Sequence, residues 1–419
     1  MKYTTTASEL TSIADAIRAK GGTSSSLVYP SGFISAISAI PAGGGDGDLA
    51  AILDRTISSF SNSNVTSIGQ YAFYSCSSLM NASMPAATTI SSYAFQFCTS
   101  LSDVYIPNVT SIGSYAFMST GLVSIEVPAE ISGFGLGNGA FGNCGSLQTV
   151  SMPNVHSIST YGVFSFCQNL TSVYMPELTF ANSTCGSYFF YSCSGLQSIE
   201  LQKLNRVADQ MFQFCSSLAT ISIPSVSYVG TNAFGNCIRL ESISLPECLK
   251  ISGFAFSGCT IFRSIYAPKL SEICGNGIFY WCSSISEIYF PALVSASNQA
   301  FYYTSYLTTA NLPVVEYIGR SVFASCTRLA TATLGSVSYI GRSAFYYCSN
   351  LLSLYLPGSR VALLESAASQ VFNYTPIMGY TSSTGGVYGS VFVPASLVDT
   401  YKSSRYWSDI SSRITAIPE

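Results

Sequence analysis

Charged residues are scarce in this sequence, at 9% of 419 residues. The 17 lysines and arginines are scattered and the formal net charge is −3, so the chain lacks the basic patch that neutralises nucleic-acid phosphates. Hydrophobic residues make up 48% of the chain, yet no run reaches the roughly 18 apolar residues that span a bilayer. We therefore expect neither a nucleic-acid partner nor membrane insertion, and a surface built from Ser, Thr, Asn, Gly and Tyr.

Only one histidine is present, His156. Any Ser-His-Asp or Cys-His arrangement would have to include it. It stands where Thr110 and Ser227 stand in other parts of a repeating pattern, which favours an ordinary surface substitution. Carboxylates that should project from strands have no basic or metal-binding partner in the sequence. We expect no enzyme activity, no cofactor and no metal site.

The first ten residues, MKYTTTASEL, do not have the apolar core of a secretory signal peptide. From the sequence alone, the chain is expected to stay inside the producing cell or to leave it by another route.

An internal period is the strongest signal in the chain. One phenylalanine recurs at steps of 22 to 26 residues, most often 22. The thirteen positions are Phe73, Phe95, Phe117, Phe141, Phe164, Phe190, Phe212, Phe234, Phe256, Phe279, Phe301, Phe323 and Phe345.

Around this phenylalanine the unit reads approximately V-x-x-I-G-x-x-A-F-x-x-C-x-x-L-x-x-I-x-L-P, and thirteen units fill residues 65–357. Each unit closes on a short alternating stretch such as Ile243-Ser244-Leu245, which predicts a half-buried strand. The proline that often follows ends the strand. One strand per 22-residue turn predicts a parallel ladder in which each repeat buries its Phe, Leu and Ile against its neighbours. At the usual strand spacing the ladder would be on the order of 60 Å long.

This unit resembles the BspA-like leucine-rich repeats, also called the Treponema pallidum type, from about Ile57 to the C-terminus. The resemblance implies a mainly β repeat solenoid, a leucine-rich-repeat array, with a surface-exposed or extracellular binding role. It implies no catalysis and no particular ligand.

The ends of the chain differ from the repeats. Residues 1–40 predict a small helical head with apolar residues at helical spacing, and the glycine-rich residues 41–48 predict a linker. Residues 49–64 are expected to cap the first repeat, because a bare solenoid end would expose apolar core. Residues 358–419 predict a divergent last repeat and a C-terminal cap, with a strand at Val391-Phe392-Val393 and a closing amphipathic helix at residues 396–407.

The head, ASELTSIADAIRAKGGTSSSLVYPSGFISAISAI, resembles N-terminal segments of phage tail and prophage-encoded proteins of Gram-positive bacteria. The segment VFVPASLVDTYKSSRYW resembles C-terminal caps that follow such repeats in bacterial and bacteriophage proteins. These resemblances imply attachment of the head to other virion tail proteins, a location in the phage tail, and a homotrimer, since tail attachments are often trimeric.

Eleven cysteines occupy one column, three residues after the phenylalanine. They are Cys76, Cys98, Cys144, Cys167, Cys193, Cys215, Cys237, Cys259, Cys282, Cys326 and Cys348. One cysteine per turn is not a zinc pattern, and replacement by Thr120 and Thr304 favours buried thiols that act as small hydrophobes. Cys185, Cys248 and Cys274 lie off the column and are the better candidates for reactivity.

The strand residue between the two inward aliphatic residues should point away from the core. It is tyrosine in five of thirteen repeats. Tyr, Ser and Asn at exposed positions are typical of adaptable protein-binding surfaces, although aromatic residues also simply suit strands. The predicted ligand-binding residues are Tyr105, Glu126, Tyr174, Glu200, Tyr266, Tyr289 and Tyr355.

These observations support three non-enzymatic hypotheses. The first is a phage tail-associated receptor-binding protein whose strand face meets a bacterial surface glycan or protein. The second is a bacterial cell-surface adhesin, extracellular or bound to the cell surface. The third is a structural virion spacer.

Overall fold

A computed structural model describes residues 55–128 and 134–418. The predicted head and linker, residues 1–40 and 41–48, lie outside the described residues. The chain divides into two compact units, Met1–Leu201 and Gln202–Glu419, and within each of them the described residues form a parallel β-solenoid.

Most turns of the solenoid contribute two strands, where the sequence predicts one. The longer strands, which carry the alternating pattern, are β1 (Ser59–Ser61), β3 (Asn81–Ser83), β5 (Asp103–Tyr105), β7 (Ser124–Glu126), β9 (Thr149–Ser151), β10 (Ser172–Tyr174), β11 (Ser198–Glu200), β12 (Thr220–Ser222), β14 (Ser242–Ser244), β16 (Ser264–Tyr266), β18 (Glu287–Tyr289), β20 (Thr309–Leu312), β22 (Thr331–Leu334), β24 (Ser353–Tyr355), β26 (Ser390–Val393) and β27 (Ile414–Ala416).

The second set consists of two-residue strands at the V-x-x-I part of the repeat. They are β2 (Ser67–Ile68), β4 (Thr89–Ile90), β6 (Ser111–Ile112), β8 (Gly135–Leu136), β13 (Tyr228–Val229), β15 (Lys250–Ile251), β17 (Glu272–Ile273), β19 (Ser295–Ala296), β21 (Tyr317–Ile318), β23 (Tyr339–Ile340) and β25 (Leu363–Leu364). The aliphatic residue that ends each of these strands is buried. The sequence does not predict them, because two residues are too few to show an alternating pattern.

In the first unit the sheets are β1-β3-β5, β7-β9-β10 and β2-β4-β6-β8. In the second unit they are β14-β16, β18-β20-β22-β24-β26-β27 and β13-β15-β17-β19-β21-β23-β25. Neighbouring strands in these sheets are parallel, and equivalent residues of successive repeats face each other, as Ile68 faces Ile90 and Ile90 faces Ile112. A fixed repeat length therefore keeps one face of each sheet buried, because a slip of one residue would turn the apolar face outward.

The recurring phenylalanines form a stacked column through the core of each unit. In the second unit Phe212, Phe234 and Phe256 are fully buried, and neighbouring ring centroids lie 5.2–5.4 Å apart with nearly parallel planes. The column ends at Phe372, which stacks on Phe345 at 5.6 Å. Phe372 is therefore the core phenylalanine of the divergent last repeat.

The eleven column cysteines are all buried. A column thiol donates a hydrogen bond to the backbone oxygen of the phenylalanine one turn earlier, as Cys237 Sγ does to Phe212 at 3.1 Å and Cys259 Sγ to Phe234 at 3.1 Å. Thr304 occupies the same position and donates to Phe301 O at 2.6 Å. The column residue therefore adds a side-chain hydrogen bond to a buried phenylalanine carbonyl that also accepts a backbone N–H, as Phe212 O accepts from Cys215 N at 3.1 Å.

We expect the cysteine thiols of the folded protein to be almost unreactive. Burial raises the pKa of Cys259 to about 12, and the pKa of Cys237 and Cys282 well above the usual range. Thiolate is the reactive form, so titration with a disulfide reagent at pH 8 should modify at most about one thiol, the partly exposed Cys274, and all fourteen in denaturant. Cys274→Ser should abolish the native signal; rapid native modification of several thiols would contradict a stably buried column.

The C-terminal cap closes the phenylalanine column. It contains α1 (Ala368–Val371), α2 (Val398–Ser403) and four 3-10 segments, Pro376–Met378, Ser382–Thr384, Ala395–Leu397 and Trp407–Arg413. The predicted strand at residues 391–393 is present within β26. The predicted closing helix at residues 396–407 is shorter, because the chain turns at Ser404 and reaches Trp407 through Tyr406 with a positive φ. A further strand, β27, then pairs with β26.

An ion pair between Arg320 and Glu365 joins two repeats next to this cap. The Arg320 guanidinium donates two hydrogen bonds from Nε to the Glu365 carboxylate, at 2.7 and 3.1 Å, and a third from Nη2. The Arg342 backbone N–H donates to the same carboxylate at 2.8 Å. The Arg320 side chain in particular lowers the pKa of Glu365 to about 2.

Candidate recognition surface

The outward-facing positions of the longer strands form what we call the strand face of each unit. On the three-residue strands of the repeats the middle residue faces the core, and the first and third residues face solvent or are half-buried, as in Ser242, Ile243 and Ser244. Because the side chains of a strand alternate between the two sides of the sheet, the third position presents a side chain that the core does not constrain. Variation in that side chain changes the surface and leaves the core intact.

The structure places the seven predicted binding residues on these strands. In the first unit Tyr105 and Tyr174 have 56% and 58% of their surface exposed, and Glu126 and Glu200 are also exposed. In the second unit Tyr266 and Tyr289 are each 61% exposed.

Tyr355, the seventh, differs from the others. It is only half-buried rather than exposed, and its ring stacks on Phe392 of β26 at 4.6 Å. Its ring therefore already has a partner inside the protein, which leaves less of it for a ligand.

Tyr266 and Tyr289 line a groove of about 360 Å³ on the strand face of the second unit. The same groove is lined by Arg263 and Glu287, both exposed, and by Pro268. It therefore offers two aromatic rings, one cation and one anion within a single concave surface. Large aromatic groups with a few charged or polar groups are the usual composition of a recognition site.

This groove lies where the sheet of longer strands is interrupted. β16 is the last strand of the two-stranded sheet, and β18 is the first strand of the six-stranded sheet. Ile288 follows Ile265 by 23 residues, whereas Ile265 follows Ile243 by 22. The extra residue falls in the turn that contains Gly275 and Gly277, both with positive φ, at 80° and 62°. The groove thus coincides with the one-residue lengthening of this repeat.

A second aromatic surface, the turn ridge, consists of the two residues between each core phenylalanine and the column cysteine or threonine. Aromatic residues at these positions contact one another between successive turns. Tyr280 stacks on Tyr302 at 5.5 Å and Trp281 on Tyr303 at 6.0 Å. Trp281 is nonetheless 54% exposed, so the ridge presents ring surface to solvent as well.

The second residue of the turn ridge has a left-handed backbone in every described repeat. Gly258 has this conformation with φ 76°, but so do Trp281, Tyr303 and Tyr347, with φ between 60° and 64°. A residue with a Cβ pays roughly 1–2 kcal/mol for this conformation. Bulky aromatic residues here are therefore strained where glycine would be relaxed, and sequence reasoning could not detect this because the residue type varies from repeat to repeat.

The remaining sequence candidates are His156 and the cysteines that lie off the column. His156 is exposed. Cys274 Sγ donates to the Glu272 carboxylate at 2.7 Å, and the same carboxylate pairs with Lys250 at 3.2 Å; burial and the Glu272 hydrogen bond raise the pKa of Cys274 to about 11. Within residues 55–128 and 134–418, no cluster of three His, Cys, Asp or Glu side chains could hold a metal ion.

Among the helices of the described residues, none is long and apolar enough to cross a membrane.

Comparison with known proteins identifies the repeat. The family model for the BspA type leucine rich repeat region matches residues 56–137, 135–261 and 227–352. A leucine-rich repeat protein of known structure from Bacteroides ovatus is 25% identical, with a TM-score of 0.59, over 87% of this chain and 85% of that chain. A leucine-rich repeat protein from Eubacterium ventriosum is 21% identical, with a TM-score of 0.42, over 78% of this chain and 86% of that chain. No curated protein matches the chain.

Proposed function

This chain belongs to the BspA-type leucine-rich-repeat family, and from that premise we propose that it is a non-enzymatic recognition or adhesion protein of the bacterial surface. Proteins with these repeats are typically extracellular or attached to the cell surface. The ligand would bind on the strand face of the second unit, at the groove between Tyr266 and Tyr289.

The observation that carries this proposal is the exposure of the two tyrosines. A tyrosine that serves the fold is packed, as Tyr401 in the cap is, at 1% exposure. Tyr266 and Tyr289 are 61% exposed and line one groove. A tyrosine ring supplies a large, rigid contact area at low conformational-entropy cost, and its hydroxyl can donate or accept a hydrogen bond. Two such rings on one concave surface are what a binding site uses.

The charged side chains in the groove favour a polar ligand over an apolar one. Arg263 can donate to carboxylate, carbonyl or hydroxyl oxygens, and Glu287 can accept from amide or hydroxyl donors. Both side chains line the same groove as the tyrosines. A protein segment or a glycan of the bacterial or host surface can satisfy both charges, whereas a purely apolar ligand would leave them unpaired.

The double variant Tyr266→Ser/Tyr289→Ser tests the strand face. We expect it to bind about tenfold to hundredfold more weakly than the parent chain, because central aromatic residues contribute most of the binding energy of an interface. The readout is surface plasmon resonance against immobilised bacterial cell walls and immobilised extracellular glycoproteins. The strand positions are solvent-exposed, so thermal unfolding should be nearly unchanged.

Tyr161→Ser/Tyr306→Ser is the matched control. These tyrosines are exposed to a similar degree, 47% and 50%, but do not line the groove. Equal loss in both double variants, or full binding after loss of Tyr266 and Tyr289, would show that the strand face of the second unit is not the binding surface.

The resemblance of residues 7–40 to phage tail proteins favours a second candidate, a tail-associated receptor-binding protein or a structural spacer in the virion. Immunogold labelling of producing cells and of induced phage particles separates the two. Label on the cell envelope alone supports the adhesin. Label on phage tails would support a virion protein in place of the adhesin. In that case, loss of host-cell binding in the Tyr266→Ser/Tyr289→Ser variant would indicate a receptor-binding protein, and unchanged host-cell binding would indicate a spacer.

A further inference from the structure

In the turn ridge of the second unit, one turn without aromatic residues lies between two turns that each carry a pair of tyrosines. Tyr302 and Tyr303 belong to the repeat before that turn, and Tyr346 and Tyr347 to the repeat after it. Between them the equivalent residues are Ala324, which is buried, and Ser325, which is half-buried. One ring is therefore missing from each of two columns, at the same turn.

We propose that this notch is a binding site for one ring of a neutral glycan, separate from the strand face. The two tyrosine pairs form its walls, and Ala324 and Ser325 form its floor. The backbone holds the parts in register, because Tyr303 N donates to Ala324 O at 3.1 Å and Ser325 N donates to Tyr346 O at 2.8 Å.

The size of the notch suits one ring. Neighbouring rings of this ridge lie 5.5 Å apart for Tyr280 and Tyr302, and 6.0 Å apart for Trp281 and Tyr303. Two steps of 5.5 Å leave about 11 Å between the rings on either side of a missing one. A ring packed between two others needs roughly 7–8 Å, since carbon atoms in contact lie about 3.5–4.0 Å apart. Half of that contact distance belongs to each wall ring, so roughly 7 Å between the walls is free. This space is too narrow for an α-helix, whose diameter with side chains is about 10–12 Å.

The chemistry of the walls favours a sugar. None of the four wall residues or two floor residues is charged, so the site does not select a phosphate or a carboxylate. A pyranose presents C–H groups on its faces and hydroxyls around its edge. The ring faces of the tyrosines can pack against the C–H groups of the sugar. The hydroxyls of the tyrosines and of Ser325 can form hydrogen bonds with the sugar hydroxyls. A phenylalanine side chain would use the walls and leave these hydroxyls without a role.

The conformation of the walls supports a role beyond folding. Tyr303 and Tyr347 have φ of 64° and 60°, and Ser325 has φ 63° at the equivalent position between them. Serine also occupies this position at Ser75, Ser119 and Ser192. The fold therefore accepts a small residue in this conformation, so the turn itself does not require the large aromatic residues on each side of Ser325.

The decisive variant is Ser325→Tyr, which supplies the missing ring at a position whose backbone already accommodates tyrosine in the neighbouring repeats. The full chain is tested on an array of immobilised neutral oligosaccharides built from hexoses and N-acetylhexosamines, and the affinity for the strongest is measured by quenching of Trp281 fluorescence. We expect Ser325→Tyr to lower that affinity about tenfold or more, from loss of two stacking contacts. Its thermal unfolding midpoint should be unchanged or higher, since the new ring stacks on its neighbours.

Asn236→Tyr is the matched control, with the same backbone conformation, φ 59°, in the same unit. It should keep full affinity. Tyr347→Ser opens one wall with a residue that other turns carry, and should weaken binding about tenfold without unfolding the chain. The Tyr266→Ser/Tyr289→Ser variant should keep its glycan affinity, so failure of the strand-face proposal would leave this one standing.

Three results would overturn the proposal. The first is the absence of binding to every neutral oligosaccharide on the array. The second is full affinity in both Ser325→Tyr and Tyr347→Ser. The third is binding of a phenylalanine-rich peptide that Ser325→Tyr removes while all glycan binding survives, which would assign the notch to a protein side chain.

Discussion

Phe234→Ala should lower the free energy of unfolding of the second unit by about 3–5 kcal/mol, as expected for removal of a large aromatic residue from a core. Phe234 is fully buried, with Phe212 stacked at 5.4 Å on one side and Phe256 at 5.2 Å on the other. Truncation leaves a cavity between two rings that backbone hydrogen bonds hold in place, since Phe234 N donates to Ala255 O at 2.8 Å. The turns cannot close over the cavity, because the spacing of the ladder is set by its hydrogen bonds.

Urea denaturation followed by circular dichroism measures this loss, and hydrogen exchange locates it. Each repeat contacts only its neighbours, so protection should fall most for the backbone amides of residues 212–256. Ser244→Ala, an exposed change in the same repeat, should alter stability by less than about 0.5 kcal/mol. A loss below about 1 kcal/mol for Phe234→Ala would show that the phenylalanine column does not hold the turns together.

Trp407→Ala should cost about as much, 3–5 kcal/mol, although Trp407 lies outside the periodic repeats. Its ring is 1% exposed and packs edge-on against Tyr401 at 5.1 Å, and near Phe372 at 6.0 Å. Its Nε1–H donates to Ala362 O at 2.7 Å. The side chain thus covers the last ring of the column and satisfies a buried carbonyl. Its removal would expose both.

Trp281→Ala provides a control of the same residue type, because the chain has two tryptophans and Trp281 is 54% exposed. It should cost no more than about 1 kcal/mol. The free energy of unfolding lost in Trp407→Phe should lie between the losses in Trp407→Ala and Trp281→Ala, because phenylalanine keeps most of the apolar area and loses the hydrogen bond to Ala362. Similar unfolding midpoints for Trp407→Ala and Trp281→Ala would show that the cap does not stabilise the solenoid.

The sequence predicts stacked turns because one period governs the chain, although it predicts one strand in each turn where most turns have two. The spacing of Phe73, Phe95 and Phe117 predicts stacked turns, and the structure stacks these rings at 4.8 and 5.1 Å. The exposed strand position was equally accessible, since side chains alternate on a strand whatever its neighbours are. The domain limits at residues 1–54 and the phage-like head stay predictions, as they lie outside the described residues.

The sequence alone did not show which exposed side chains come together in a groove, or which backbone conformation they adopt. The sequence treated Tyr266, Tyr289 and Tyr355 alike, but the first two line a groove whereas the third stacks on Phe392. The strand β26 that carries Phe392 is far along the chain from Tyr355, so a local pattern contains no sign of the contact. The left-handed backbone at Trp281 and Tyr303 was likewise hidden, because aromatic residues in that conformation contradict the usual preference for glycine.

By itself, the sequence determined the repeat, the apolar column, the buried thiols and the strand positions that are free to vary. Each follows from a local rule of alternation or from a fixed repeat length, and every turn obeys the same rule. Only the tertiary structure decided which free positions meet to form a concave surface, such as the groove at Tyr266 and Tyr289. Concavity depends on where the ladder is interrupted and on which neighbouring turn lacks a ring, and both are properties of stacked repeats rather than of any one of them.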